Sequence, residues 1–444
     1  MAYSIDTQTY NDLNITGRYK QNSVFSIFNK TITKGASALL ESLFVDPLTD
    51  AKLINQRRDV FIALSAYTQH LDITSALHQQ AIDYLGSSTL GNPIFALGDM
   101  VRLKLASLMI NDVDYNILVE GIININEYLR RVKPLLIEIS EIVKDTIWKD
   151  KLQKGLNLLN NTNLNAFIND KIDNNISIFK LSSYNYLLRS TLSTDLRQFI
   201  KLIEEIDCYL TVANIGKSKG FVYADALEQE RMEINMYNAC HPCLKGAIGN
   251  DMFMKHDSNV IFLTGANMAG KSTLMKSFSI TLYLAHLGFP ISADKMSFTP
   301  IEGMFTSINV PDDITQGYSH FYAEVMRVKK VAEEVAQKKK LLIIFDELFK
   351  GTNVKDAYDG TLEITRAFSK CEKSIFIIST HIMEAGQALE KECKNIQFKY
   401  LPTLLVDDKP VYPYKLADGI ADDRHGMKII KNERILDIIE SAIN

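Results

Sequence analysis

The sequence predicts two architectures in one chain: a helical half, followed by an α/β half built on a mainly parallel sheet. Three observations carry this reading. Apolar residues recur at three- and four-residue spacing from about Ile15 to Ala213. After Tyr223, short apolar runs alternate with helical stretches. A glycine-rich loop, Gly265-Ala266-Asn267-Met268-Ala269-Gly270-Lys271-Ser272-Thr273, follows directly on one of those runs.

In the helical half, Leu196, Phe199, Ile200, Ile203, Ile206, Leu210 and Ala213 form one apolar stripe at helical spacing. Ile117 to Ile147 is another periodic stretch, interrupted only by Pro134, and reads as two helices or as one kinked at the proline. Asn157 to Asn175 is rich in Asn and weakly periodic, which suits caps and connections. No internal repeat is present.

In the second half the expected strands are Val260 to Thr264, Leu341 to Phe345 and Ser374 to Ser379, separated by helices such as Ser272 to Leu287 and Ser319 to Gln337. Strands that alternate with helices pair in parallel, and ligands then sit at their carboxyl ends. The glycine-rich loop lies at such an end. Its glycines let backbone N–H groups turn toward phosphates, Lys271 supplies the neutralising charge, and the Ser272 hydroxyl can ligate Mg²⁺.

The next strand ends in two acids. Asp346 suits a residue that holds Mg²⁺ through water, and Glu347 suits a general base that orients an attacking water. The strand after it delivers His381 to the same sheet edge, where an imidazole can sense or stabilise a γ-phosphate. Ser319 reads as the N-cap of a helix marked by Val325, Val328, Ala332 and Val335. Either it is an ordinary cap, or its helix end faces the γ-phosphate held by a second subunit.

Composition narrows the classes. Lys and Arg number 49 against 53 Asp and Glu, so the net charge of −4 announces no overall nucleic-acid binder, although a local basic face is allowed. An odd five cysteines, with no basic start followed by an apolar segment, lead to the expectation of a reducing, cytoplasmic setting and no disulfide framework. No apolar run reaches the ~18–20 residues of a spanning helix, so no membrane role is expected. Cys240-His241-Pro242-Cys243 has zinc-like spacing but lacks a second ligand pair.

The order of glycine-rich loop, serine-headed helix, Asp-Glu strand and Thr-His strand resembles the ABC-type ATPases, and its wording is similar to that of the MutS DNA mismatch-repair family. Thr264 to Thr273 resembles the family's T-G-P-N-M-x-G-K-S-T, and Ala239-Cys240-His241-Pro242 its R-H-P entry. Asp312-Asp313 with Ser319-His320-Phe321 resembles its D-D-x5-S-T-F loop, and Asp346-Glu347 with Gly351-Thr352 its D-E-x3-G-T. Tyr414-Lys415-Leu416 with Gly419 and Gly426 resembles its closing strand. In the helical half, Phe28 to Thr33 with Gly35, Leu39-Leu40, Pro47-Leu48, Ile54 and Arg57 looks like the start of the family's core lever domain, and Glu205-Ile206-Asp207 with Ala213 like its return.

The resemblance implies an N-terminal extension over 1–22, an all-helical lever domain over 23–222 and a P-loop ABC-type ATPase domain over 223–444. It implies ATP with Mg²⁺, a homodimer with two composite sites, Ser319 acting in trans, and Phe253 stacked on adenine. It also implies mispaired, looped or branched DNA as partner, with a repair protein as a further one. Departures qualify this. The lever pattern starts within the first thirty residues, so mismatch-reading and connector domains are not expected here. The 350–360 loop exceeds the family's by about three residues, Ala266 replaces a proline and His320 a threonine. The alternative is a mechanical ATPase of the same kind that acts on branched DNA or on a protein/nucleic-acid complex without mismatch recognition. A transporter subunit has no need of the helical half, and a phosphate-loop kinase has no use for Glu347 after Asp346.

Overall fold

The computed structural model describes residues 3–17, 23–67, 71–86, 91–110, 113–173, 176–308, 320–406, 409–421, 435, 438 and 439. Asp312, Asp313, Ser319 and Gly426 lie outside them. The chain separates into two compact units, residues 27–45 with 56–218, and residues 1–26 with 46–55 and 219–444.

The first unit is helical. It contains α3 (Lys34–Val45), α5 (Ser75–Gly86), α6 (Pro93–Ile110), α7 (Asp114–Ile142), α8 (Lys149–Leu159), α9 (Thr162–Asn169), α10 (Ile178–Tyr186) and most of α11 (Ser193–Lys219). The helix α2 (Val24–Phe28) and the helix α4 (Ala51–Leu64) cross the boundary, and α1 (Thr7–Asp12) belongs to the other unit. The stripe read on α11 is buried throughout. Residues 114–142 form one helix, with Pro134 inside it. Within the Asn-rich stretch, Asn161 caps α9 by accepting N–H bonds from Asn163 and Leu164.

Two motifs 174 residues apart in sequence meet in this unit. The Asp207 carboxylate on α11 accepts the N–H of Ile32 at 3.0 Å, the N–H of Thr33 at 2.7 Å and the Thr33 hydroxyl at 2.9 Å. Beside it, buried His78 bonds Tyr128 OH at 3.0 Å and Glu204 Oε1 at 3.1 Å. The Glu204 carboxyl lies against Gly35, where a side chain would collide with it.

The second unit carries a seven-stranded sheet. In chain order the strands of this unit are β1 (Ser4–Ile5), β2 (Asp225–Ala226), β3 (Glu233–Ala239), β4 (Asn250–Lys255), β5 (Val260–Gly265), β6 (Lys295–Phe298) and β7 (Gly303–Ser307). They continue with β8 (Leu341–Asp346), β9 (Ile375–Ser379), β10 (Ile396–Leu401), β11 (Leu404–Val406), β12 (Lys409–Val411) and β13 (Ala417–Asp418). The main sheet has the order β1-β7-β8-β9-β5-β10-β13 and is parallel except at β13. A smaller sheet, β2-β6-β3-β4, stands apart from it.

Strands β5, β8 and β9 are apolar along both faces because helices cover them. These helices are α12 (Lys271–His286), α13 (His320–Ala336), α14 (Val354–Ser369) and α15 (Met383–Glu392). Phe262, Phe345, Phe368 and Phe376 form the centre of the core between sheet and helices. Register sets Asp346 opposite Ser379, and Ser379 opposite Leu263, so three strands end level at one edge.

The unit boundaries differ from 22 and 222. β1 pairs in parallel with β7, and residues 46–55 join the same unit, where the Leu48 carbonyl accepts a hydrogen bond from His286. Both contacts join residues more than two hundred positions apart, which a boundary drawn from local periodicity does not register.

Candidate functional site

The carboxyl ends of β5 and β8 open on a cavity of about 660 Å³. The loop 266–273 lines it, together with Asp346, Glu347, Asn250, Leu401 and Tyr414. Gly265 and Gly270 adopt φ of 141° and 99°, which only glycine tolerates without strain, and at Gly270 a side chain would also strike the Tyr414 ring. Among the other loop residues, Met268 is exposed, Ala269 is buried, and Asn267 and Thr273 face the cavity.

Lys271 opens α12 and is almost wholly buried. Its ammonium donates to the carbonyls of Gly265 at 2.8 Å and Ala266 at 3.2 Å, and lies 3.4 Å from His381 Nε2. Burial lowers its pKa, against the opposing pull of the Asp346 and Glu347 charges. A buried cation held by two neutral carbonyls at the wall of a cavity can exchange them for an anion's oxygens.

Ser272 Oγ donates to Asp346 Oδ2 at 2.6 Å. The other oxygen, Asp346 Oδ1, is buried and has no hydrogen-bond partner among the described residues. Buried carboxylate oxygens without a partner are rare. A hydroxyl and a carboxylate with a free oxygen make a hard oxygen donor set, and so the residues present fit Mg²⁺.

Glu347 has a backbone φ of 54°, and Phe349 one of 63°, so the chain leaves β8 through left-handed turns that bring the Glu347 side chain back over the strand ends. His381 Nε2 bonds Glu347 Oε1 at 2.7 Å, and Lys350 Nζ bonds Oε2 at 2.7 Å. These bonds, the His381 contact foremost, outweigh burial and hold the Glu347 carboxyl down at about 2. The carboxylate is ionised but a weak proton acceptor in this arrangement.

Lys271, Ser272, Asp346, Glu347 and His381 thus form one connected set. Phe253 does not join it. On β4 the side chains alternate, with Asn250, Met252 and Met254 on the buried face and Asp251, Phe253 and Lys255 on the other. Phe253 therefore packs edge-on to Tyr237 and lines a separate groove with Gln397, Lys399 and Lys415. The apolar wall of the main cavity comes instead from Leu244, Ile248 and Tyr414. Asn250 ties this wall together, donating to the Tyr414 carbonyl at 2.9 Å and accepting the Leu416 N–H at 2.7 Å. Sequence reading assigned no site role to Leu244, Ile248, Asn250 or Lys350, and it read Tyr414 only as part of a closing-strand motif; the available signals were that motif and Lys350 three positions after Glu347.

Among the described residues, no helix is long and apolar enough to cross a membrane. A model of MutS domain V matches residues 261–444, a span that includes every member of the connected set. The chain is 26% identical over 265 residues to the DNA mismatch repair protein MutS of Lactococcus lactis subsp. cremoris, covering 57% of this chain and 31% of that protein. It is 25% identical over 249 residues to the protein of the same name from Petrotoga mobilis, 54% of this chain and 30% of the relative. The likeness to that of Lactobacillus gasseri is 24% over 329 residues, 70% and 38% respectively. The match spans about a third of the length of these relatives. Over residues 261–444, then, the chain matches the MutS family through its domain V.

Proposed function

We propose that this chain is an ATP-hydrolysing, DNA-binding protein of the MutS family, cytoplasmic and dimeric, in which hydrolysis is coupled to grip on DNA in mismatch repair or a related repair reaction. One observation supports it most: Lys271, the Ser272–Asp346 pair and Glu347 line a single cavity at the carboxyl edge of a parallel sheet, with His381 bonded to Glu347 beside it.

In this reading the loop 265–273 cradles the phosphates, and the Lys271 ammonium trades its two carbonyls for phosphate oxygens. Ser272 and Asp346 hold Mg²⁺, which when bound neutralises charge on the phosphates. Glu347 positions the attacking water, and a strong role as base requires that its bonds to His381 and Lys350 loosen. His381, bonded to Glu347 and close to Lys271, adjusts both. Leu244, Ile248 and Tyr414 are better placed than Phe253 to receive the base. Ser319, outside the described residues, completes the partner's site in trans, so that ATP favours the closed dimer and hydrolysis releases it.

The test is binding of Glu347→Gln protein with ATP to homoduplex, mispaired, looped and four-way-junction DNA at two salt concentrations. Salt-sensitive preference for one structure supports the reading and identifies its target. No salt-sensitive binding to any DNA overturns it in favour of a mechanical ATPase directed at protein.

A further inference from the structure

We propose that the solvent-facing side of α6 is a docking seam for a second copy of this chain, the two α6 helices pairing antiparallel about a two-fold axis.

Along α6, Ile94, Gly98, Val101, Leu105 and Leu108 recur at alternating steps of four and three residues. That is the 3.5-residue period of a coiled-coil seam. The helix's own packing uses another side. Ala96 and Met100 are its buried residues, and α6 packs on α10 and α7. At 3.6 residues per turn those two positions lie opposite the seam. The seam itself is exposed, and Ile94, Phe95, Leu108 and Met109 along it are between 72% and 81% exposed. A surface helix ordinarily turns one apolar stripe to the core and a polar face to water. Here a second apolar stripe faces water.

Gly98 is an independent observation on the same face. It sits inside the helix, where glycine is less stable than alanine. The chain's own packing does not call for it, because a side chain there would meet nothing within 4 Å. A glycine in the middle of an exposed apolar seam does let the backbone of another helix approach closely.

The seam fits its own copy. Antiparallel pairing about an axis between residues 99 and 100 sets Gly98 of each copy against Val101 of the other, and Ile94 against Leu105, so every contact is made twice. The smallest residue then meets a β-branched one near the axis, and larger side chains meet farther out. Charge does not oppose this pairing. Arg102 is paired with Asp99 at 2.7 Å, and the Lys104 ammonium lies over the Tyr115 ring at 5.8 Å. With both cations engaged within the chain, the seam calls for neither an acidic partner nor phosphates. The apolar surface exposed by Ile94, Phe95, Val101, Leu105, Leu108 and Met109 is on the order of 800 Å². That exceeds the largest patch of a typical monomer, ~300–600 Å², and equals what one partner contributes to a standard interface.

The experiment is sedimentation of the full chain without nucleotide, so that the result does not depend on the proposed ATP chemistry. Wild type self-associates with a Kd in the micromolar range or tighter. Gly98→Leu weakens association by about tenfold or more, while the thermal midpoint stays at or above that of wild type, because leucine suits a helix better than glycine and meets nothing in its own chain. Leu105→Glu, which places a charge in the seam, weakens association by about a hundredfold. A short thiol cross-linker joins Val101→Cys copies close to the axis, above the background of the five native cysteines, and does not join Ile137→Cys copies, whose exposed position lies on α7.

Association unchanged in both Gly98→Leu and Leu105→Glu overturns the proposal, and so does the absence of a cross-link at position 101. A lowered thermal midpoint in Gly98→Leu assigns the glycine to the chain's own fold and counts against close approach. A wild type that stays monomeric overturns self-pairing as well. Flotation with phosphatidylcholine vesicles, lost in Leu105→Glu, would then give the face to lipid, and no flotation would give it to a helix of another protein.

Discussion

Asp207 in the helical unit and Asp346 at the sheet edge are both acids drawn out of solvent, and they differ in whether their oxygens are satisfied. Asp207 receives two backbone N–H groups and a hydroxyl from residues 32 and 33, with the Thr211 hydroxyl at 3.5 Å. Burial still raises its pKa against those bonds, so its charge depends on them. Asp346 receives the Ser272 hydroxyl on one oxygen and leaves the other without a partner. Low exposure alone does not separate an architectural acid from a ligand-seeking one; hydrogen-bond valence does.

The largest expected effect is at Lys271, the buried cation that the proposed function assigns to the phosphates and that now bonds two carbonyls. Lys271→Ala should weaken ATP binding by on the order of a hundredfold or more, as loss of a buried charge contact does; a titration showing near-wild-type affinity would break the contrast at its strongest point. Next comes Glu347→Gln, for which single-turnover assays should find hydrolysis slowed by about 10²- to 10⁴-fold with ATP binding retained. Normal turnover there would remove Glu347 from the chemistry.

On the architectural side, Asp207→Ala strands the Ile32 and Thr33 donors. Denaturant unfolding should show a loss of about 3 kcal/mol, with ATP affinity unchanged. A matching loss of ATP affinity would mean that the two acids do not have separate roles.

His286 offers the smallest and most graded test, since it is a buried group satisfied as a neutral one. Its Nδ1 donates to the Leu48 carbonyl at 2.7 Å, and its Nε2 accepts the Ile301 N–H at 3.3 Å. Burial depresses its pKa to about 4, against the usual 6.5, despite the Leu48 bond. The unfolded chain therefore takes up a proton that the fold refuses, and stability is full above about pH 6.5 and falls toward pH 4. Between pH 6.5 and 5 the loss should be about 2 kcal/mol, and His286→Gln should flatten that part of the profile. An unchanged slope in the variant would show that other groups set it.

How much of this was legible in the sequence follows from distance along the chain. The loop, the Asp346-Glu347 strand end and His381 were readable because each is a contiguous motif on a strand, and parallel pairing then levels the strand ends. The α11 stripe was readable because period alone determines its buried face. The groove that Phe253 lines was not readable, because its face depends on strand parity, and β3 and β4 carry a register shift between Met236 and Ala239. The cavity wall needed Leu244 and Ile248 beside Tyr414, more than 160 positions away, which no local pattern announces. The bond of Asp6 to Arg327 and that of Asp12 to Thr306 reach almost three hundred residues or more, and neither acid belongs to a motif.

The most direct test of the contrast is ATP titration of the full chain with and without Mg²⁺, for wild type, Asp346→Asn and Asp207→Asn. Wild type and Asp207→Asn should gain affinity when Mg²⁺ is added, and Asp346→Asn should not. Equal Mg²⁺ dependence in Asp346→Asn and wild type would contradict the assignment of the open Asp346 oxygen as the ligand end of the sheet.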